Sequence, residues 1–141
     1  MMPMVKMRLI ALLVIAAALP LAACGSSSNG TTTGAKAPVA TADKAKVGRV
    51  VVDAQGRTLY RFTAEAQGRP VCTGACLKTW VPARASNASG LPAHVATVRR
   101  DDGVVQLTYD GHPLYRYVGD TSKADANGEG VGGQWYVIKA G

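Results

Sequence analysis

The stretch Leu59-Tyr60-Arg61-Phe62-Thr63-Ala64-Glu65 returns 55 positions later as Leu114-Tyr115-Arg116-Tyr117-Val118-Gly119-Asp120. The same shift lays Gly48 on Gly103, Val50 on Val105, Val52 on Leu107, Gly56 on Gly111 and Trp80 on Trp135, without a gap. Self-similarity at a fixed spacing means that one supersecondary unit is built twice. Two copies that cannot each close a core are expected to pack about a pseudo-twofold axis.

Within the first copy, Arg49–Asp53 reads as a strand, Ala54–Arg57 as a glycine-containing turn and Thr58–Phe62 as a second strand. The second copy repeats the hairpin: Val104–Tyr109 runs into the turn dipeptide Asp110-Gly111, and Pro113–Val118 leaves it. Because strand side chains alternate, Tyr60 and Phe62 share one face, as do Tyr115 and Tyr117, while Leu59/Arg61 and Leu114/Arg116 point the other way. Trp135–Ile138 reads as a closing strand. Its counterpart Trp80–Ala83 carries Pro82, which confines it to an edge, a strand end or the exit of a short helix near Cys76–Trp80, capped by Thr73. The predicted fold is mostly β: a small sandwich or open barrel of two pseudo-twofold-related hairpin-plus-strand repeats, about 48–86 and 103–141, within a single domain over 47–141.

Upstream, Lys6 and Arg8 precede an unbroken apolar run from Leu9 to Leu19. Such a run makes about 16 Å of helix, short of the ~30 Å hydrocarbon thickness, so it inserts without spanning. Leu21-Ala22-Ala23-Cys24-Gly25 follows it and resembles the lipobox of bacterial lipoproteins. That resemblance implies a signal peptide over 1–23, cleavage before Cys24, a diacylglycerol thioether (with palmitate-type acyl chains) on its sulfur, and membrane lipid as the first partner. An ordinary secretory peptide cut near an Ala-x-Ala-like site is the alternative. Residues 24–46 read as the lipidated cysteine and a flexible tether, rich in Ser, Thr, Gly, Ala and Lys and without a large side chain, or with a helix over Ala40–Lys46.

The chain of 141 residues carries +7, but the excess thins to +3 from Val47 onward. A weak, scattered surplus in an exported domain argues against nucleic acid as a partner. The tether lysines Lys36, Lys44 and Lys46 are placed to meet anionic headgroups.

The paired motifs, together with Cys72-Thr73-Gly74-Ala75-Cys76, Trp80 and Gly128–Trp135, resemble a bacterial family of predicted lipoproteins and secreted repeats of unknown function, marked by Tyr-x-(Phe/Trp/Tyr)-x-x-Asp. The resemblance covers about Val47 to Gly141, and the chain departs from it at Glu65, where the motif has Asp. It implies a compartment and no reaction.

With Cys24 given to lipid, Cys72 and Cys76 form an even pair in an oxidising compartment, where a disulfide is the default. A redox-active dithiol and metal ligation are the alternatives, although three intervening residues differ from the two of thioredoxin-like motifs. Glu65 and Asp120 occupy equivalent places. Brought together by the axis they would bind a cation or share a proton; otherwise each accepts backbone N–H groups or a tyrosine hydroxyl and fixes its loop. With one Phe, two Trp and five Tyr in the chain, the aromatic positions Tyr60, Phe62, Tyr115, Tyr117, Trp80 and Trp135 are core material. Arg61 and Arg116 either form a cationic groove with Tyr109 or Tyr136, or cover the sheet with their stems. His94 and His112 sit in no metal-ligand spacing, with His112 in the hairpin turn, and Gly128–Gly133 lacks the ending of a phosphate loop. No nucleophile-and-base signature and no cofactor motif is present in the sequence. The reading is a lipid-anchored module on the extracytoplasmic face of a bacterial membrane, binding an envelope protein or small ligand. The competing reading is a small redox or metal-binding protein using Cys72/Cys76 or Glu65/Asp120.

Overall fold

A computed structural model describes residues 37–66 and 68–141. The expected signal peptide, Cys24 and the tether as far as Lys36 lie outside them. The described chain departs from expectation at its start: Val39–Lys44 is a strand, β1, in place of a tether or of a helix over Ala40–Lys46. It pairs antiparallel with β2, Gly48–Asp53, from Val39↔Asp53 to Lys44↔Gly48. Its side chains are small, yet Val50, Val51 and Val52 of β2 are buried and give it a partner ladder. Lys44 is itself buried, its ammonium donating to the carbonyls of Gly56 (2.9 Å) and Lys123.

The remaining elements follow as β3 (Tyr60–Phe62), a 3-10 turn (Thr63–Glu65), α1 (Cys76–Thr79), β4 (Trp80–Pro82), β5 (Val95–Arg99), β6 (Val105–Tyr109), β7 (His112–Pro113), β8 (Tyr115–Tyr117), a second 3-10 turn (Val131–Gly133) and β9 (Trp135–Val137). They form three antiparallel sheets, β1-β2, β4-β8-β3-β9 and β5-β6-β7, and no closed barrel among the described residues. The short helix before Trp80 is present, but Thr73 does not cap it with its hydroxyl. Ala75 holds the cap position, and the Thr73 carbonyl accepts the Cys76 N–H at 3.1 Å. Pro82 ends an edge strand, where its missing N–H costs no ladder bond.

The pseudo-twofold axis passes through the pair Tyr60↔Tyr115. About it, Phe62↔Trp135 matches Tyr117↔Trp80, Arg61↔Tyr136 matches Arg116↔Val81, and Tyr60↔Val137 matches Tyr115↔Pro82. The four-stranded sheet therefore alternates strands of the two copies, and the last strand of each lies against the other. The hairpins obey the same symmetry with one correction to the sequence register. Val39↔Asp53 corresponds to Val95↔Tyr109, an interval of 56, so Val50 matches Gln106 and Val51 matches Leu107. The residue is lost in the turn. The first copy uses three residues, Ala54-Gln55-Gly56, whereas the second turns on Asp110 (φ 46°) and Gly111 (φ 80°) alone, the left-handed pair of a two-residue hairpin.

The aromatic residues form one core. Trp80 stacks on Trp135 across the axis (centroids 3.8 Å, planes 5° apart), Phe62 stacks on Trp135, and Tyr117 covers Trp80. Tyr60 and Tyr115 meet the two indoles edge-on. Burying each large ring contributes roughly 1.5–3 kcal/mol. An aliphatic cluster of Val39, Val51, Leu59, Leu107, Leu114 and Ile138 lies on the other side of β2, whose Val50 and Val52 join the aromatic cluster.

Candidate functional site

The chain after each motif strand turns sharply, which carries its acid away from its own tyrosine. The axis then supplies the tyrosine of the other copy. The Tyr60 hydroxyl donates to Asp120 Oδ2 at 2.6 Å, and the Tyr115 hydroxyl donates to Glu65 Oε1 at 2.7 Å. Among the described residues no hydrogen bond joins the two acids to each other, and no group of three His, Cys, Asp or Glu side chains converges as metal ligands would. Asp120 also accepts the Asn127 N–H, and Glu65 accepts those of Val71 (2.7 Å) and Cys72 (3.0 Å). Gly128 donates to the Tyr60 hydroxyl and packs so closely that a Cβ there would come within 2.8 Å of the Tyr60 ring. That contact explains the start of the Gly128–Gly133 run.

The two ends differ in what surrounds these bonds. Glu65 is 1% exposed, and beyond Tyr115 lies Arg100, 5% exposed. Its guanidinium donates to Tyr115 Oη (3.0 Å), Gln106 Oε1 (2.8 Å) and the Cys72 carbonyl, with Asp102 Oδ2 3.6 Å from Nε. Cys72 is disulfide-bonded to Cys76, with Cα atoms 5.5 Å apart. The bridge thus fixes the loop whose backbone Glu65 and Arg100 both grip. By hairpin position the first-copy equivalent of Arg100 is Lys44, so each copy buries one cation.

Burial, reinforced by the bond to Glu65, pushes the Tyr115 phenol up to about 12. Burial and the bond to Asp120 push Tyr60 in the same direction. Both groups hold their protons more tightly when folded. The contribution of Tyr115 to stability is therefore complete below the ordinary phenol value near 10 and is lost as pH climbs through about 12, and that of Tyr60 is lost at still higher pH. Alkaline titration is expected to ionise these two phenols only together with loss of the near-ultraviolet circular dichroism. Ionisation ahead of that loss would contradict their burial.

Arg61 and Arg116 do not share a groove. Arg61 lies over the Tyr136 ring at 5.8 Å, while Tyr109 stacks on His94, whose Nδ1 is 2.7 Å from Asp110 Oδ1. His112 lies just past the turn, as the first residue of β7. Arg116 instead meets Arg57 and Arg84, which the sequence reading passed over, around an open cleft of about 430 Å³. Burial, and then the charge of Arg57, lower the affinity of the Arg116 guanidinium for its proton. A second depression lined by Arg57, Arg116 and Asp120 shares residues with it.

A lipoprotein family model described as a secreted repeat of unknown function matches the chain twice, over residues 41–84 and 96–139. No curated protein and no solved structure matches.

Proposed function

The chain belongs to this family of secreted repeats, and from that premise we propose that it is a lipid-anchored extracytoplasmic module that works by binding. One observation carries the reading: the groups best suited to chemistry are spent on the scaffold. Both motif acids accept a tyrosine of the opposite copy together with backbone N–H groups, and the two cysteines close a ring against a buried loop. The surface, including the arginine-lined cleft, remains for recognition. The redox or metal-dependent alternative has less support, because Cys72 is 2% exposed and Glu65 is enclosed.

Anchoring follows from Cys24 and the charged-then-apolar stretch before it. Mass spectrometry of the membrane-extracted protein should show Cys24 as the amino-terminal residue carrying acyl chains. Cys24→Ala should move the protein almost wholly into the soluble exported fraction, since two chains or more hold a protein that one would release. An unacylated mature terminus on membrane-extracted protein would defeat the anchor. Capture of envelope components by the wild-type protein, lost on competition with its own soluble Cys24→Ala form, tests the binding role.

A further inference from the structure

We propose that the cleft bounded by Arg57, Arg84 and Arg116 is a binding site for a phosphate-bearing anion. The inference deepens the binding reading above and is independent of the acyl anchor. Three arginines, Arg57, Arg84 and Arg116, line the cleft against one acidic residue, Asp53. That carboxylate is already committed: Oδ1 accepts the Gln55 and Arg57 N–H groups (2.9 and 3.0 Å), and Oδ2 accepts Arg57 Nε at 2.8 Å. Asp53 thus holds the Arg57 side chain in one orientation. Among the described residues, neither Arg84 nor Arg116 has a carboxylate within 4.0 Å. The cleft therefore keeps two positive charges in excess, the complement of a doubly charged oxyanion.

The symmetry-related place shows that this surplus is local. The equivalent of Arg116 is Arg61, engaged over Tyr136, and that of Arg84 is Lys139, whose ammonium donates to the Val47 carbonyl. At the cleft the corresponding cations, Arg84 of the first copy and Arg116 of the second, are left facing open volume. Ala83 and Leu107 give that volume an apolar floor, and the exposed loop residues Ser86 and Asn87 add polar groups at its rim. A volume of about 430 Å³ takes a small ligand rather than a bare ion. Guanidinium forks match phosphate oxygens in geometry as well as charge. The crowding of Arg57 and Arg116 is relieved when an anion lies between them. The phosphate can belong to a soluble ligand or to a lipid headgroup, and the chemistry of recognition is the same.

The test is titration calorimetry on the full-length exported protein in uncharged detergent at low ionic strength, with two soluble probes: inorganic pyrophosphate and glycerophosphoglycerol. The expected result is saturable binding of at least one probe, weakened about tenfold by Arg84→Gln and more by Arg84→Glu. Added salt should weaken it further. Arg84 is exposed, so these variants should keep the wild-type near-ultraviolet dichroism, and Arg116→Gln provides a second site on the opposite wall. Arg61→Gln, the symmetry-related control, should bind as wild type. Preference for pyrophosphate assigns a soluble ligand, and preference for the glycerol diester assigns a headgroup. Binding of neither probe, binding unchanged in Arg84→Gln and Arg116→Gln, or equal loss in Arg61→Gln overturns the site. None of these readouts depends on acylation of Cys24, so failure of the site and failure of the anchor are told apart.

Discussion

Severed between Ala88 and Ser89, the chain should give two halves that are each unfolded alone and that recover the native fold on mixing. The cut falls in an exposed loop between the copies, so it removes no buried contact. The reason for the collapse lies in the sheet order β4-β8-β3-β9. The first half owns β3 and β4, which are separated by β8; the second owns β8 and β9, which are separated by β3. Neither half holds two neighbouring strands of this sheet. Each also lacks half of the Trp80–Trp135 stack. The outer hairpins lose support too: Val51 N–H bonds the Ile138 carbonyl from the other copy, and Leu107 N–H bonds that of Ala83. A lone hairpin is marginal in water. Circular dichroism should find both fragments without near-ultraviolet signal, with full recovery at equimolar mixing and a rate that rises with concentration. Cooperative unfolding of either fragment alone would refute the interlocked arrangement.

Glu65→Ala should be the most damaging single substitution, costing on the order of 3–5 kcal/mol, because three buried donors depend on its one acceptor. One oxygen of Glu65 satisfies Val71 N–H, Cys72 N–H and the Tyr115 hydroxyl. Its removal orphans three donors, among them the Tyr115 hydroxyl that also accepts the Arg100 guanidinium. For a domain of this size that loss corresponds to a fall in Tm of at least about 12 °C. Glu65→Gln keeps an acceptor at the same reach and should cost roughly 1–3 kcal/mol. Denaturant unfolding followed by tryptophan fluorescence, with the disulfide intact, gives these values. A loss below about 1 kcal/mol for Glu65→Ala would mean that water reaches this network.

The reading of the sequence succeeded where information is local or repeated. The hairpins, the shared face of Tyr60 with Phe62 and of Tyr115 with Tyr117, the bridge between Cys72 and Cys76, and the twofold relation all follow from alternation, spacing and redox compartment. It missed β1 and β5, whose small side chains carry a weak pattern and whose order comes from ladders with β2 and β6. Lys44, expected to meet anionic headgroups as part of the tether, and Arg100, which no sequence signal singles out, are both buried. Their burial depends on acceptors contributed by remote segments: the Lys123 carbonyl for one, Gln106, Tyr115 and the Cys72 carbonyl for the other. The one-residue change in the turn was hidden because Gly48, Val50 and Val52 still found like partners at the wrong interval. Arg57, Arg84 and Arg116 come from three separate elements, and no motif connects them.

With the shorter turn of the second copy taken into account, a valine of the first copy, Val50, corresponds by hairpin position to a glutamine of the second, Gln106. Around that glutamine gather Arg100 and, through Tyr115, the Glu65 loop with its disulfide; around the other tyrosine gather the partly open Asp120 and the rim of the cationic hollow. The two poles of the duplicated fold are therefore unequal. One pole is enclosed and cross-linked and the other is open, so under the binding reading substitutions that tune recognition at the open pole leave the enclosed network untouched.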